Sequence, residues 1–217
     1  VSPDRHLAGT LAERRLGCTV HILDDGFQHL ELARDLDVLV TTVGEIPGGR
    51  VIPMGTLREP QDAAARAHFL VVSDATPGAA ASEAWTLGIQ QSCGALRRLG
   101  EPVPLSPAGS LEAASRGGTR VLAVAGIAHP DRFVAMLKDA GWNVVDSMAF
   151  GDHHRYTATD VQAIEARMKA SGADAVFTTD KDAVRLAAPF AACRVPLVVQ
   201  FDPPDSLFSS VMAAVRR

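Results

Sequence analysis

The chain has 217 residues, 47% of them hydrophobic, and a formal net charge of −4. That length and apolar content suit one large domain or two small ones with buried cores and exclude a disordered chain. Basic residues gather only in pairs such as Arg97-Arg98 and Arg216-Arg217, which excludes a nucleic-acid footprint. The longest apolar stretch, "VLAVAGIA" at 121–128, falls short of the ~20 residues a membrane span requires. Cys18, Cys93 and Cys193 lie far apart and in no CxxC, which fits a reducing, cytoplasmic setting. The opening "VSPDRHLAGT" has neither a methionine nor a leader pattern, so the natural start is expected upstream.

In chain order, short apolar runs at 18–23 (CTVHIL), 36–40, 68–72, 120–126, 143–150, 174–179 and 195–200 read as strands. Continuous runs of this kind alternating with helical patterns predict an α/β fold with a mostly parallel sheet covered on both faces. "ATPGAAASEA" at 75–84 reads as a surface loop. The Pro-, Gly- and Ser-rich stretch 100–118 reads as a linker and sets a lobe boundary near residue 110, dividing the chain into 1–110 and 111–217. A helix is predicted to open at Pro130, to carry Phe133, Leu137 and Ala140 on one face, and to close at Gly141. A second is predicted from Thr159, with a Thr159-x-x-Gln162 capping box, an apolar stripe of Val161, Ile164 and Met168, and a stop at Gly172.

Polar clusters follow these runs, where open α/β sheets bind ligands. In "HILDDGFQH" (21–29) Asp24 and Asp25 end an apolar run in the Walker B manner. A carboxylate there can hold Mg²⁺ directly or through water, although Asp-Gly is also a common turn. "GDHHRY" (151–156) offers an orienting carboxylate, two imidazoles and a cation, a set suited to proton transfer beside phosphate or, failing that, an exposed loop. In "IPMGTLREP" (52–60) Arg58 could clamp a phosphate or form a surface ion pair, and Pro60 biases Glu59 away from helix. "GIAHPDRF" (126–133) sets a glycine before a helix start suited to anions, and "TTDKDAV" (178–184) places Lys181 among acids.

Taken together and in order, "ILDDGFQHLELARDLDVLV", "IPMGTLREP", "AGIAHPDRF", "FGDHHRYTATD" and "FTTDKDAVRL" resemble the tetraacyldisaccharide 4'-kinase (lipid A 4'-kinase) family over nearly the whole chain. The resemblance implies a P-loop NTPase-like lobe followed by a smaller α/β lobe. It also implies ATP and Mg²⁺ as cofactors, and phosphoryl transfer to the 4'-hydroxyl of a lipid A disaccharide precursor at the cytoplasmic face of the inner membrane. By position, Asp24, Asp25, Gln28 and His29 match nucleotide-side residues, with Asp25 the metal-linked acid. Arg58 and Glu59 match substrate-side positions, and Asp152 with His153 match the family's Asp-His motif, His154 standing next to it.

One departure is large: the family's Walker A loop, G-x-x-x-x-G-K-[ST], occurs nowhere in these residues, and only 23 precede Asp24. The expectation is a piece whose phosphate cradle and membrane-anchoring N-terminal segment lie outside the sequence, and which does not turn over by itself. Two further readings compete. One is a metal-dependent phosphohydrolase with Asp24, Asp25, His29, His153 and His154 as ligands; the other is a non-catalytic module that binds the lipid precursor.

Overall fold

The protein is described by a computed structural model over residues 4–105 and 118–216. The elements are α1 (Arg5–Leu16), β1 (Val38–Thr42), a 3₁₀ turn (Gln61–Arg66), β2 (Phe69–Ser73), α2 (Pro77–Thr86), β3 (Ser92–Leu99), β4 (Val103–Pro104) and β5 (Arg120–Ala125). They continue with α3 (Pro130–Asp139), β6 (Asn143–Ala149), α4 (Ala158–Ser171), β7 (Ala175–Thr178), α5 (Asp180–Ala183), β8 (Ala192–Arg194), β9 (Leu197–Asp202) and α6 (Ser206–Val215). They form two compact units, residues 1–96 with 200–217, and residues 97–199. The boundary expected near residue 110 lies outside the described residues. The return of the last segment to the first unit had no signal in the sequence, because it depends on which sheet its apolar face covers.

In the first unit the sheet order is β1-β2-β3-β9, with β1, β2 and β3 parallel. "FLVV" in β2 is buried on both sides, as an interior parallel strand requires. Phe69 and Val71 pack with Cys93, Ala95, Phe201 and Leu207 on one face. Leu70 and Val72 pack with Ala80, Ala84 and Leu87 on the other, the alternation that a period of two imposes.

Two expectations need correction here, and one helix had no expectation at all. The run 18–23 is not a strand: no described strand runs beside it to complete a ladder, and Ile22 is 93% exposed. The stretch 75–84 is not a loop. Thr76 caps the Ala79 N–H at 3.3 Å, Pro77 occupies the first turn, and Ala80 and Ala84 enter the core, so its alanines are helix formers rather than simple sequence. Residues 5–16 form a helix that no apolar stripe announces, since it buries nothing; Asp4 opens it by accepting the Leu7 N–H at 2.9 Å.

The second unit has the order β4-β8-β7-β5-β6, parallel except for β4. Val121, Ala123 and Ala125 of β5 face α3 through Phe133 and Leu137, with Trp142 set edge-on to Phe177 at 4.9 Å. Leu122 and Val124 face α4 through Ile164. The helix expected at Pro130 is in place, and that ending at Gly172 stops there with φ 65°. Its opening differs from expectation: the capping box is Thr157 with Asp160, not Thr159 with Gln162. Asp160 accepts both the backbone N–H and the hydroxyl of Thr157, at 2.8 and 2.7 Å, and a charged acceptor outcompetes an amide two residues later. Strands β3 and β8 escaped the sequence reading because "SCGALRRL" and "ACR" mix small and charged residues without an apolar run. Among the described residues no helix is long and apolar enough to cross a membrane.

Candidate functional site

In the first unit, Asp24 and Asp25 stand in an exposed turn. Asp25 is in the left-handed region at φ 50°, costing about 1–2 kcal/mol for a residue with a side chain. Arg5 of α1 spans the turn, donating to the Asp24 and Asp25 carbonyls at 3.3 and 3.4 Å. The grip falls on the backbone, and among the described residues both carboxylates are left free of hydrogen bonds. Gly26 is buried, and a Cβ there would meet Leu23 Cβ at 2.6 Å, so the turn closes tightly over the end of the run.

The chain then folds back on "TLREP". Phe27 lies under the Arg66 guanidinium, 5.1 Å from its ring centroid. Arg66 in turn donates to Glu59 Oε2 at 2.8 Å. Phe27, Gln28, Leu57, Arg58, Glu59 and Gln61 line a cleft of about 70 Å³. Gln28, Arg58 and Glu59, assigned separately to nucleotide and substrate, thus share one opening. Arg58 makes no ion pair among the described residues, whereas Glu59 keeps a buried Oε1 without a hydrogen-bond partner. His29 is held by its carbonyl, which accepts from Arg34, itself ion-paired to Asp37.

In the second unit three loops meet at the carboxyl edge of the sheet: Gly126 after β5, 151–154 after β6, and 179–182 after β7. His153 is exposed and left-handed at φ 58°. Its N–H donates to Asp152 Oδ1 at 3.0 Å and to the Gly126 carbonyl at 3.2 Å, and its Nε2 lies 3.8 Å from Asp152 Oδ2.

His154 points elsewhere. Its Nε2 lies 3.0 Å from Asp160 Oδ2, and its ring stacks on Phe150 and meets Tyr156 edge-on. The Thr157 N–H and hydroxyl, and then His154, hold the Asp160 carboxyl at about 2. His153 and His154, adjacent in sequence, therefore differ in availability: one is presented and the other is committed to packing.

Sequence reasoning missed Asp182, which is completely buried. Its Oδ2 accepts the Gly126 N–H at 3.0 Å and the Thr179 hydroxyl at 2.7 Å. Burial and the neighbouring Asp182 carboxylate push the Tyr156 phenol well above its ordinary value. The signal available was Thr179-x-x-Asp182, the same spacing as Thr157-x-x-Asp160. Lys181, flagged in its place, is exposed. At the N-terminus of α3, suggested for anions, Asp131 occupies the first turn, and an acid there already answers the helix dipole. Among the described residues no three or more His, Cys, Asp and Glu side chains are disposed to hold a metal ion, and the five ligands of the hydrolase reading divide between the two units.

Comparison with known proteins follows the same positions. The family model of tetraacyldisaccharide-1-P 4'-kinase matches residues 1–216. The tetraacyldisaccharide 4'-kinase of Geobacter metallireducens is 42% identical over 188 residues, covering 86% of this chain and 54% of that protein. That of Pelobacter propionicus is 41% identical, covering 84% and 50%. The chain thus spans about half the length of these curated relatives. A crystal structure of LpxK from Aquifex aeolicus in complex with ATP superposes with a TM-score of 0.69 at 24% identity, over 99% of this chain and 64% of that one, which shows the shared α/β fold.

Proposed function

The chain belongs to the tetraacyldisaccharide-1-P 4'-kinase family, and from that premise we propose that it supplies part of an ATP-dependent kinase acting on the 4'-hydroxyl of a tetraacyldisaccharide 1-phosphate. The observation that carries the proposal is the cleft uniting Gln28, Arg58 and Glu59, residues about thirty positions apart that family resemblance alone would only name. Arg58 has the fork geometry to bind a phosphate of the disaccharide, and Glu59 Oε1, buried and unanswered, suits a sugar hydroxyl as donor. A membrane-resident substrate of this class puts the reaction at the cytoplasmic face of the inner membrane.

The donor set at Asp24-Asp25 fits Mg²⁺: two exposed carboxylates without hydrogen-bond partners among the described residues match an ion that keeps several waters and takes one or two carboxylates. Asp25 is the acid assigned to it. When bound, Mg²⁺ neutralises charge on the ATP phosphates. The rest falls to side chains. The 4'-hydroxyl loses its proton to a carboxylate and histidine acting together, with His153 as the imidazole and Asp152 as its orienting neighbour. The γ-phosphoryl group passes from ATP to the sugar oxygen as its bond to the ADP oxygen breaks, ADP leaves, and the proton passes to solvent. Asp24, Gln28 and His29 face the nucleotide, and His154 holds the loop.

The 217 residues contain no G-x-x-x-x-G-K-[ST] sequence, and the proposal includes that they do not turn over alone, because such a loop supplies the backbone donors and lysine for the β and γ phosphates. The test joins the Walker A-bearing portion of a relative to this chain and follows phosphate transfer from ATP to the disaccharide. Transfer is expected, to fall about 10²–10⁴-fold in His153→Ala and to weaken through substrate affinity in Arg58→Ala. A fusion that binds both substrates yet is indifferent to His153 and Arg58 would overturn the assignment.

A further inference from the structure

Asp182 is buried charge that the proposed chemistry does not touch, and its surroundings are unusually specific. Its side chain is 0% exposed and reaches back across the sheet edge to the backbone of Gly126. Gly126 is the hub of that corner. A Cβ on it would lie 2.9 Å from Asp182 Oδ1, 3.2 Å from His154 Cβ and 3.2 Å from the Tyr156 hydroxyl oxygen, so only glycine lets these three groups close in. Asp182 Oδ1 and the Tyr156 hydroxyl both close on Gly126, where the phenol and the carboxylate interact with each other.

The direction of the hydrogen bonds gives the function. The Gly126 N–H donates to Asp182, and the Gly126 carbonyl accepts the N–H of His153. One peptide segment thus relays the position of a buried carboxylate to the backbone of a residue held at φ 58°. A second arm leaves the same turn. The Arg185 N–H donates to the Asp182 carbonyl at 2.9 Å, and the Arg185 guanidinium faces His153 Nδ1 at 3.5 Å. Across that contact the guanidinium can act only as donor, and Nε2 is the ring nitrogen nearer Asp152.

We propose that Asp182 is a positioning residue for His153, its side chain fixing the His153 backbone through Gly126, while the backbone turn at 182 carries Arg185 to the ring. The catalytic meaning of this placement rests on the kinase reading above; the placement itself does not. The competing assignment is a helix cap, since Thr179 and Asp182 also close the first turn of α5.

Nuclear magnetic resonance on the whole 217-residue chain separates them. In the unsubstituted protein a scalar coupling across the hydrogen bond is expected between the Gly126 amide nitrogen and the Asp182 carboxyl carbon. Its absence, with both resonances assigned, would overturn the proposal. In Asp182→Ala the Gly126 amide is expected to exchange at least about tenfold faster, and the His153 amide, Cα and Cβ resonances to leave their left-handed positions. A cap alone would move Ala183 to Leu186 and leave Gly126 and His153 in place. Should Asp182→Ala fail to fold, Asp182→Asn, which keeps the side-chain size and removes the charge, is expected to speed Gly126 amide exchange and shift the His153 amide; Gly126 and His153 signals that stay in place overturn the proposal. None of these signals needs turnover. A chain that passes them while the fusion enzyme ignores His153 would keep the positioning role and lose the kinase role.

Discussion

The loops carrying Asp25 and His153 start from the same sequence device, an apolar run followed by acids and histidine, and both put a non-glycine residue at positive φ. They end in different states. The 151–154 loop leaves β6, which is paired to β5 along its length, and is tied down through Gly126, Asp182 and Asp160. The 24–29 turn leaves a run that no described strand accompanies, and Arg5 and the Phe27–Arg66 contact hold it from the surface. The contrast teaches that a strand is not a property of its own residues: "CTVHIL" is at least as apolar as "NVVDSM", but backbone donors and acceptors need a neighbour.

Hydrogen exchange offers the largest effect by which this contrast can be broken. Amides of Val121 to Val124 are expected to exchange several orders of magnitude more slowly than those of 18–23; equal protection would mean that the run has found a partner. Next come core substitutions. Phe177→Ala, fully buried against Trp142, is expected to cost about 3–5 kcal/mol. Ile22→Ala is expected to change the unfolding free energy from chemical denaturation by no more than about 0.5 kcal/mol.

Smaller effects sharpen the same comparison. Thr157→Ala removes half of the capping box of α4 and is expected to cost about 1 kcal/mol in chemical denaturation. Asp160 titrates at about 2 in the folded chain against 3.8 otherwise, so its stabilisation is complete above 3.8 and disappears as pH falls through about 2. Thermal melts of Asp160→Asn should therefore lose less stability than the parent across that interval. Arg5→Ala should be the mildest change, within about 0.5 kcal/mol globally, while the Asp24 and Asp25 amides lose their fixed resonances.

Much of the fold was written locally. Strands β1, β2, β5, β6, β7 and β9 coincide with apolar runs to within a few residues, and the interior ones, β2, β5 and β7, are buried on both faces as parallel strands inside a covered sheet must be. The candidate residues were legible as types: acids after an apolar run, a paired histidine motif, an arginine before Glu-Pro. Asp182 was not, since a carboxylate in "TTDKDAV" looks like any exposed acid until β7 and β5 come together and bring Gly126 above it.

Composition and spacing alone determined the α/β class and the apolar runs that become strands, and the ordered motifs carried the resemblance to the family. Tertiary structure decided which run obtained a ladder, which of two adjacent histidines was presented, and which distant residues share the cleft of Gln28, Arg58 and Glu59. Periodicity is a local property of the chain. Hydrogen-bond completion and burial depend on neighbours far away in sequence, and they exist only once the sheets have formed.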